Sequence, residues 1–132
     1  MKLEWLSFIF FCLASLVHLI SFFMHAHFHH TPWAQKVLKI AGHEVGPLRP
    51  WLLIMGYSDL FLCLGVAWGL YYVLSLQIML AGVLTGYAAF FMLALGLLRA
   101  WLFPQRRRLA VAYWLPPLLG LVLVFFHVKQ YV

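Results

Sequence analysis

The chain is organised around residues 18–30, which read HLISFFMHAHFHH and hold five of its seven histidines. This stretch closes a long apolar run and opens the first polar loop. Successive residues on a helix are about 100° apart, so His18, His25 and His29 fall within about 40° of one another and share a face. The segment combines lipid-compatible residues with groups that bind metals or protons, and we expect the chemistry of the chain close to it.

Composition places the chain in a membrane. Of its 132 residues, 66% are hydrophobic and 9% are charged, and a soluble domain of that length could not bury so much apolar surface. The charged residues behind the net charge of +6 lie between the apolar runs, where cations determine membrane topology. We therefore expect no nucleic-acid partner. The length predicts one domain over residues 1–132. Cys12 and Cys63 form no CxxC pair and are expected to be small buried hydrophobes.

Four apolar runs are long enough to cross a bilayer, because about 20 helical residues at 1.5 Å each span its core. They predict an all-α integral membrane four-helix bundle with spans at about residues 5–24, 51–73, 78–98 and 109–128. Pro50 is expected to open the second span, and a tight turn is expected at residues 74–77. Residues 33–40 place Trp33, Val37 and Ile40 on one face, which predicts a short interfacial helix.

Two GxxxG patterns lie in the predicted spans, Gly65–Gly69 in the second and Gly82–Gly86 in the third. In membranes this pattern lets two helix backbones approach closely. The motif is short and frequent, so we interpret both copies as helix packing.

Charge asymmetry predicts the orientation, since four spans place both termini on one side. The loops opposite the termini carry seven cations: Lys36, Lys39, Arg49, Arg99, Arg106, Arg107 and Arg108. The terminal side carries two, Lys2 and Lys129. The positive-inside rule then predicts a multi-pass protein of the bacterial inner membrane, with the loops and the histidines cytoplasmic and both termini outside.

The predicted orientation can be measured with reporters fused after Val132. A phosphatase that is active only outside the cytoplasm should be active at this position, because Lys129 is the only cation near that end. A fluorescent reporter that matures only in the cytoplasm should stay dark there. The opposite result from the two reporters would reverse the orientation.

Asp59 is the one acidic residue within a predicted span, where an isolated carboxylate is costly. At 1.5 Å per residue, His18 lies about 10 Å from the cytoplasmic end of the first span and Asp59 about 13 Å from that of the second. The two depths agree to within a turn, so we predict that His18 and Asp59 meet. The pair would either fix the register of two helices or form a proton or ligand site. Tyr57 and Tyr87 could add hydroxyls at similar levels.

The remaining histidines suggest a metal site near the end of the first span. His25 and His29 are separated by four residues, a spacing that can hold one ion between two imidazoles on a helix. With His30, His43 or Glu44 completing the set, it predicts a site for a divalent transition metal such as Zn²⁺, Ni²⁺ or Cu²⁺. A headgroup-level cluster without a ligand, and proton handling, are the alternatives.

Three parts of the chain carry a family pattern: HL at 18–19 with QKV at 35–37, GYSDLFLCLGVAWGL at 56–70, and WLPPLLG at 114–120. Over most of its length the chain resembles the small bacterial four-helix membrane proteins of the domain of unknown function 1304. The resemblance implies a compact four-helix membrane fold and no activity that can be carried over. A glutamate typical of the family falls at His25, and two asparagines fall at Ile54 and Asp59. Histidine in place of glutamate is compatible with a retained metal or proton site.

Three functions remain open from the sequence. A binding or accessory component, in contact with the bilayer and with a second copy or a larger complex, suits the small size and the two GxxxG faces. A dimeric proton- or ion-coupled transporter would use Asp59 as its coupling acid. A metal-dependent membrane enzyme would need more histidine clusters than the one present, so catalysis is the least expected of the three.

Overall fold

The computed structural model describes residues 3–74, 78–104 and 107–129, and the regular structure within these ranges is helical. The long helices are α1 (Leu3–Phe22), α3 (Val45–Leu74), α4 (Ile78–Leu102) and α5 (Arg107–Lys129), and the short α2 is Pro32–Leu38. A π-helical turn, Phe23–His27, continues α1, and a 3₁₀ turn, Gly42–Glu44, precedes α3. The stretches apolar and long enough to cross a membrane are Leu6–His27, Gly42–Val73, Met79–Leu102 and Arg108–Phe126. The prediction of a helical, multi-pass four-helix membrane protein is confirmed.

The four long helices form a closed ring in which α1 packs on α3, α3 on α4, α4 on α5, and α5 back on α1. Buried apolar side chains that range in size from alanine to phenylalanine form a core cluster between the helices: Phe11, Ala14, Val66, Ala88, Ala89 and Met92. The outer surface is apolar as well, since Met79 is 87% exposed and Trp101 is 75% exposed. A surface of this kind suits contact with lipid, because large apolar patches exposed to water would cause the protein to associate.

Among the long helices, the largest differences from the predicted boundaries are at the start of the second span and at the end of the third. Helix α3 begins at Val45, so Pro50 lies in its second turn instead of opening it. Because Pro50 has no N–H, the helix lacks one hydrogen bond there, the one to the carbonyl four residues earlier. Helix α4 runs to Leu102, four residues beyond the expected end at 98, because the residues that follow are again mostly apolar. This extension brings Arg99 into the helix.

Some predictions concern residues outside the described ranges, and the prediction for one of the two cysteines is wrong. The turn expected at 74–77, apart from Leu74 at the end of α3, lies outside the described residues, as do Lys2 and Arg106. Cys63 is buried as expected, whereas Cys12 is exposed on the outer surface, where lipid rather than protein would cover it.

The short helix α2 begins as a capped helix and ends earlier than expected. Thr31 caps it by accepting a hydrogen bond from Ala34 N, with Pro32 in the first turn. Lys39 adopts a left-handed conformation with φ of 51° and ends the helix before Ile40. Ala34 and Leu38 are the buried residues of α2, while Trp33 is 63% exposed. Ile40, expected on the same helical face as Trp33, lies beyond the end of the helix and is buried, because the chain leaves helical periodicity at Lys39. Placement of this helix at the membrane surface stays a prediction.

The two GxxxG patterns have different surroundings. A side chain at Gly65 would meet Ala88, and one at Gly69 would meet Thr85, so this pattern packs α3 closely on α4. Side chains at Gly82 and Gly86 would meet nothing within 4 Å. Only the first pattern is used for packing within the described chain.

Candidate functional site

Asp59 lies on α3, and its side chain is fully buried. His18, also fully buried on α1, places Nδ1 2.7 Å from Asp59 Oδ1. Because the carboxylate accepts, the hydrogen of His18 is assigned to Nδ1. The structure thus brings the two residues that were expected to share a depth into direct contact.

Arg99 of α4 also belongs to the site, although the sequence did not predict it there. Its Nη2 donates to both carboxylate oxygens of Asp59, at 2.9 Å and 3.0 Å. The sequence predicted Arg99 to be a loop cation. This prediction is wrong, because Arg99 lies in α4 and is only 8% exposed. Side chains on a helix tilt toward its N-terminus, which for Arg99 near the C-terminal end of α4 is toward the middle of the bundle. Asp59 therefore receives a guanidinium from a third helix.

Ser21 extends the site toward the loop that follows α1. Its hydroxyl donates to Asp59 Oδ2. His25 Nδ1 lies 2.8 Å from the Ser21 carbonyl and 3.0 Å from the Ser21 hydroxyl, so it donates to oxygens of Ser21. A directed series of hydrogen bonds therefore runs from His25 through Ser21 to Asp59.

The π-helical turn places His25 beside this network. Phe28 N bonds to Phe23 O at 2.9 Å, a separation of five residues instead of four. Gly56 of α3 lies against the same turn, and a Cβ there would be 3.1 Å from Ala26 N. A π turn inserts one residue into a helical turn and recurs at functional sites. Here it lets α3 approach closely at the level of His25.

The contacts of Asp59 bear on the transporter alternative. His18, Ser21 and Arg99 all donate to the carboxylate, an arrangement that suits its ionised form. A coupling acid must take up and release a proton during transport. Asp59 is held as one half of a neutral pair with Arg99, so this geometry gives the proton-coupling hypothesis no support. The carboxylate instead orients two basic side chains.

Each of these basic side chains keeps one nitrogen without a partner. His18 Nε2 and Arg99 Nη1 are buried and make no hydrogen bond among the described residues. Tyr113 of α5 covers both, with its ring 5.5 Å from the His18 ring and 4.8 Å from Arg99 Cζ. Tyr57 and Tyr87, expected near the pair, are 46% and 67% exposed instead. The aromatic residue of the site comes from the fourth long helix.

Two cavities adjoin Arg99. The smaller has a volume of about 30 Å³ and is bordered by His25, Arg99, Phe103 and Tyr113 among others. This is room for one or two water molecules. The larger has a volume of about 490 Å³ and lies between α3 and α4, where Arg99 and Ser58 are its polar lining residues and the rest are apolar. Trp51, one of its lining residues, is 66% exposed, so the cavity opens to the outside of the bundle.

The predicted metal ligands are not assembled in the part of the chain that is described. Within those ranges, no group of three or more His, Cys, Asp or Glu side chains is placed to hold one ion. His25 and His29 no longer follow α-helical spacing, because the π turn ends between them. His43 and Glu44 are exposed on the 3₁₀ turn, where Glu44 accepts a hydrogen bond from Ala41 N. A metal site through these residues and His30 stays a prediction that no described contact supports.

Comparison with known proteins gives one match. The family model described as Protein of unknown function (DUF1304) matches residues 12–125, which include His18, Ser21, Asp59 and Arg99. No curated protein and no solved structure matches the chain. The match covers most of the sequence, including parts of all four long helices. The chain therefore belongs to the DUF1304 family of proteins of unknown function.

Proposed function

We propose that the protein binds a lipophilic molecule from within the membrane and serves as a binding or accessory component of a membrane assembly. The observation that carries this proposal is the cavity of about 490 Å³ between α3 and α4. Ligand pockets are typically about 300–1,000 Å³, mostly apolar, with a few polar groups that fix orientation. This cavity has that size and lining, with Arg99 as its charged residue.

The position of the cavity favours a ligand that enters from the bilayer. Leu98 and Leu102 line it and are 45% and 52% exposed on the outer surface of α4. A membrane-dissolved molecule could therefore reach Arg99 without crossing water. A soluble substrate would meet an apolar rim first.

We place the protein in the bacterial inner membrane with both termini outside. Without Arg99, the loop side still has six cations against two on the terminal side. This asymmetry supports the proposed orientation. A homodimer or a larger complex is part of the proposal, supported by the small size and by the exposed Gly82–Gly86 face.

Filling the cavity tests the proposed function. Leu98→Trp should lower the amount of lipophilic molecule retained through purification about tenfold, since a loss of about 1.4 kcal/mol in binding has that effect. The measurement is native mass spectrometry of the protein in mild detergent after incubation with a membrane lipid extract. Leu97→Trp is the matched control, because Leu97 is 49% exposed and does not line the cavity.

Retention that is equal in Leu98→Trp and in the wild type would count against the cavity as a binding site. Equal losses in Leu98→Trp and Leu97→Trp would point to a general change in the bundle and would likewise count against it. The same purification shows whether a larger complex accompanies the protein.

A further inference from the structure

The large cavity between α3 and α4 lies at the loop end of both helices. On α3 it extends from Leu48, in the first turn, to Ser58, and on α4 it reaches Leu102, the last residue of that helix. The helical rise from Leu48 to Ser58 is about 15 Å, which is half of the roughly 30 Å hydrocarbon core of a bilayer. The cavity therefore has the depth of one leaflet and begins near the level of the lipid headgroups.

The wall of the cavity suits a hydrocarbon chain, because most of its lining residues are apolar. Arg99, the charged lining residue, is only 8% exposed and donates to both carboxylate oxygens of Asp59, so its charge is matched within the protein. Trp51, at the opening, is 66% exposed, and tryptophan is enriched where a membrane meets water. These features fit an acyl chain that is anchored at the membrane surface.

Basic residues lie beside the same end of the cavity. Arg49 is exposed and precedes the lining residue Leu52 by three positions, so it lies one turn closer to the loop on the same side of the helix. Side chains tilt toward the N-terminus of their helix, which for α3 is the loop end. Lys39, also exposed, directly precedes Ile40, another lining residue. A phosphate at the opening would therefore meet cations, and a guanidinium can bind it through two parallel hydrogen bonds.

Charge distinguishes this cavity from a second apolar groove between the same two helices. That groove, of about 380 Å³, lies toward their other end, at residues 64–72 of α3 and 80–84 of α4. Residues 60–98 include no charged residue, so neither helix supplies a cation near this groove. Residues 31–49, in contrast, contain three cations and one acid. Of the two sites, the cavity at the loop end is the one that favours a negatively charged headgroup.

Resting on the proposed function, we propose that the lipophilic molecule is an anionic phospholipid, with one acyl chain in the cavity and its phosphate bound by Arg49 at the opening. The second acyl chain lies outside, along the exposed apolar surface of the bundle. Basic residues near the membrane surface attract anionic lipids, and each contributes about fivefold in affinity.

The experiment compares two phospholipids on the intact protein in detergent. Phosphatidylglycerol has a net negative charge, whereas phosphatidylethanolamine with the same acyl chains is neutral overall. Competition followed by native mass spectrometry should show about tenfold tighter binding of phosphatidylglycerol, and Arg49→Gln should lower this preference about fivefold. Arg108→Gln is the matched control and should leave the preference unchanged, because Arg108 is exposed on α5, away from the residues that line the cavity.

The two proposals fail in different ways. Equal binding of both phospholipids to the wild type, with both lost in Leu98→Trp, would leave the proposed function standing and overturn the anionic headgroup. Binding of neither phospholipid by a wild-type protein that retains another lipophilic molecule would also overturn this inference alone. Retention of no lipophilic molecule at all would contradict both proposals.

The variants test the position of the lipid. Equal falls in preference in Arg49→Gln and Arg108→Gln would assign the preference to overall charge and overturn the role of Arg49. Loss of phosphatidylglycerol in Leu64→Trp, but not in Leu98→Trp, would place the lipid in the other groove, which Leu64 lines, and would overturn its assignment to the cavity. The comparison of the two phospholipids on the wild type does not depend on the folding of any variant.

Discussion

Asp59→Leu should destabilise the protein more than any other single change at the site, by about 3–5 kcal/mol, the usual cost of leaving a buried charge unpaired. The variant removes the acceptor of Arg99, His18 and Ser21 at once. If Asp59 met only His18, Asp59→Asn would be mild, because an amide can still hydrogen-bond. With Arg99 on the carboxylate, Asn leaves a buried cation uncompensated, so we expect Asp59→Asn to be damaging as well. Thermal unfolding in detergent measures both changes.

Double variants identify which partner of Asp59 contributes most to stability. Asp59→Leu/Arg99→Leu should recover about 2–3 kcal/mol, since replacing a buried ion pair with apolar residues is often nearly neutral. Asp59→Leu/His18→Leu should recover less, because Arg99 would still be unpaired. Glu44→Gln is the control, a loss of charge at an exposed position, and should change stability by no more than about 0.5 kcal/mol. Strictly additive losses in both double variants would show that these contacts do not hold the bundle together.

The sequence predicts the architecture well because membrane insertion depends on long apolar runs that can be read directly. It also predicts that His18 and Asp59 lie at one depth, since helical rise converts residue number into distance. The contact of Arg99 with Asp59 is not predicted in this way, because a cation near the end of an apolar run is normally assigned to a loop. Two features of the sequence nevertheless indicated that Arg99 lies within the helix and faces Asp59. The residues after it, Ala100, Trp101 and Leu102, return to the apolar pattern, and Asp59 needed a cation.

Other features of the site follow from tertiary packing and have no local signature. The π turn at Phe23–His27 inserts a residue where the chain reads as an ordinary helix. The turn packs closely on α3 at Gly56, a contact between residues far apart in sequence. The predicted helical pair of His25 and His29 depended on regular spacing through this turn. The same turn instead directs His25 to Ser21.

Gly96→Ala should destabilise the bundle by about 1–3 kcal/mol, the typical effect of adding volume to a tightly packed contact. A Cβ at Gly96 would lie 2.8 Å from Trp114 N and 3.0 Å from Trp114 Cα. These are backbone atoms of α5, so a side-chain rotation cannot relieve the contact. Helices α4 and α5 would have to separate about one turn from Arg99 on α4 and directly beside Tyr113 on α5. The measurement is again thermal unfolding in detergent.

Gly82→Ala and Gly86→Ala supply the matched comparison on the same helix. Neither added Cβ would meet an atom within 4 Å, and alanine is favoured over glycine inside a helix by about 0.5–1 kcal/mol. Both variants should therefore be neutral or slightly more stable as isolated chains. If a second copy packs on this face, as GxxxG faces allow, the two variants should weaken the dimer in crosslinking while leaving the monomer intact. Equal destabilisation by all three alanines would contradict the close crossing of α4 and α5 at Gly96.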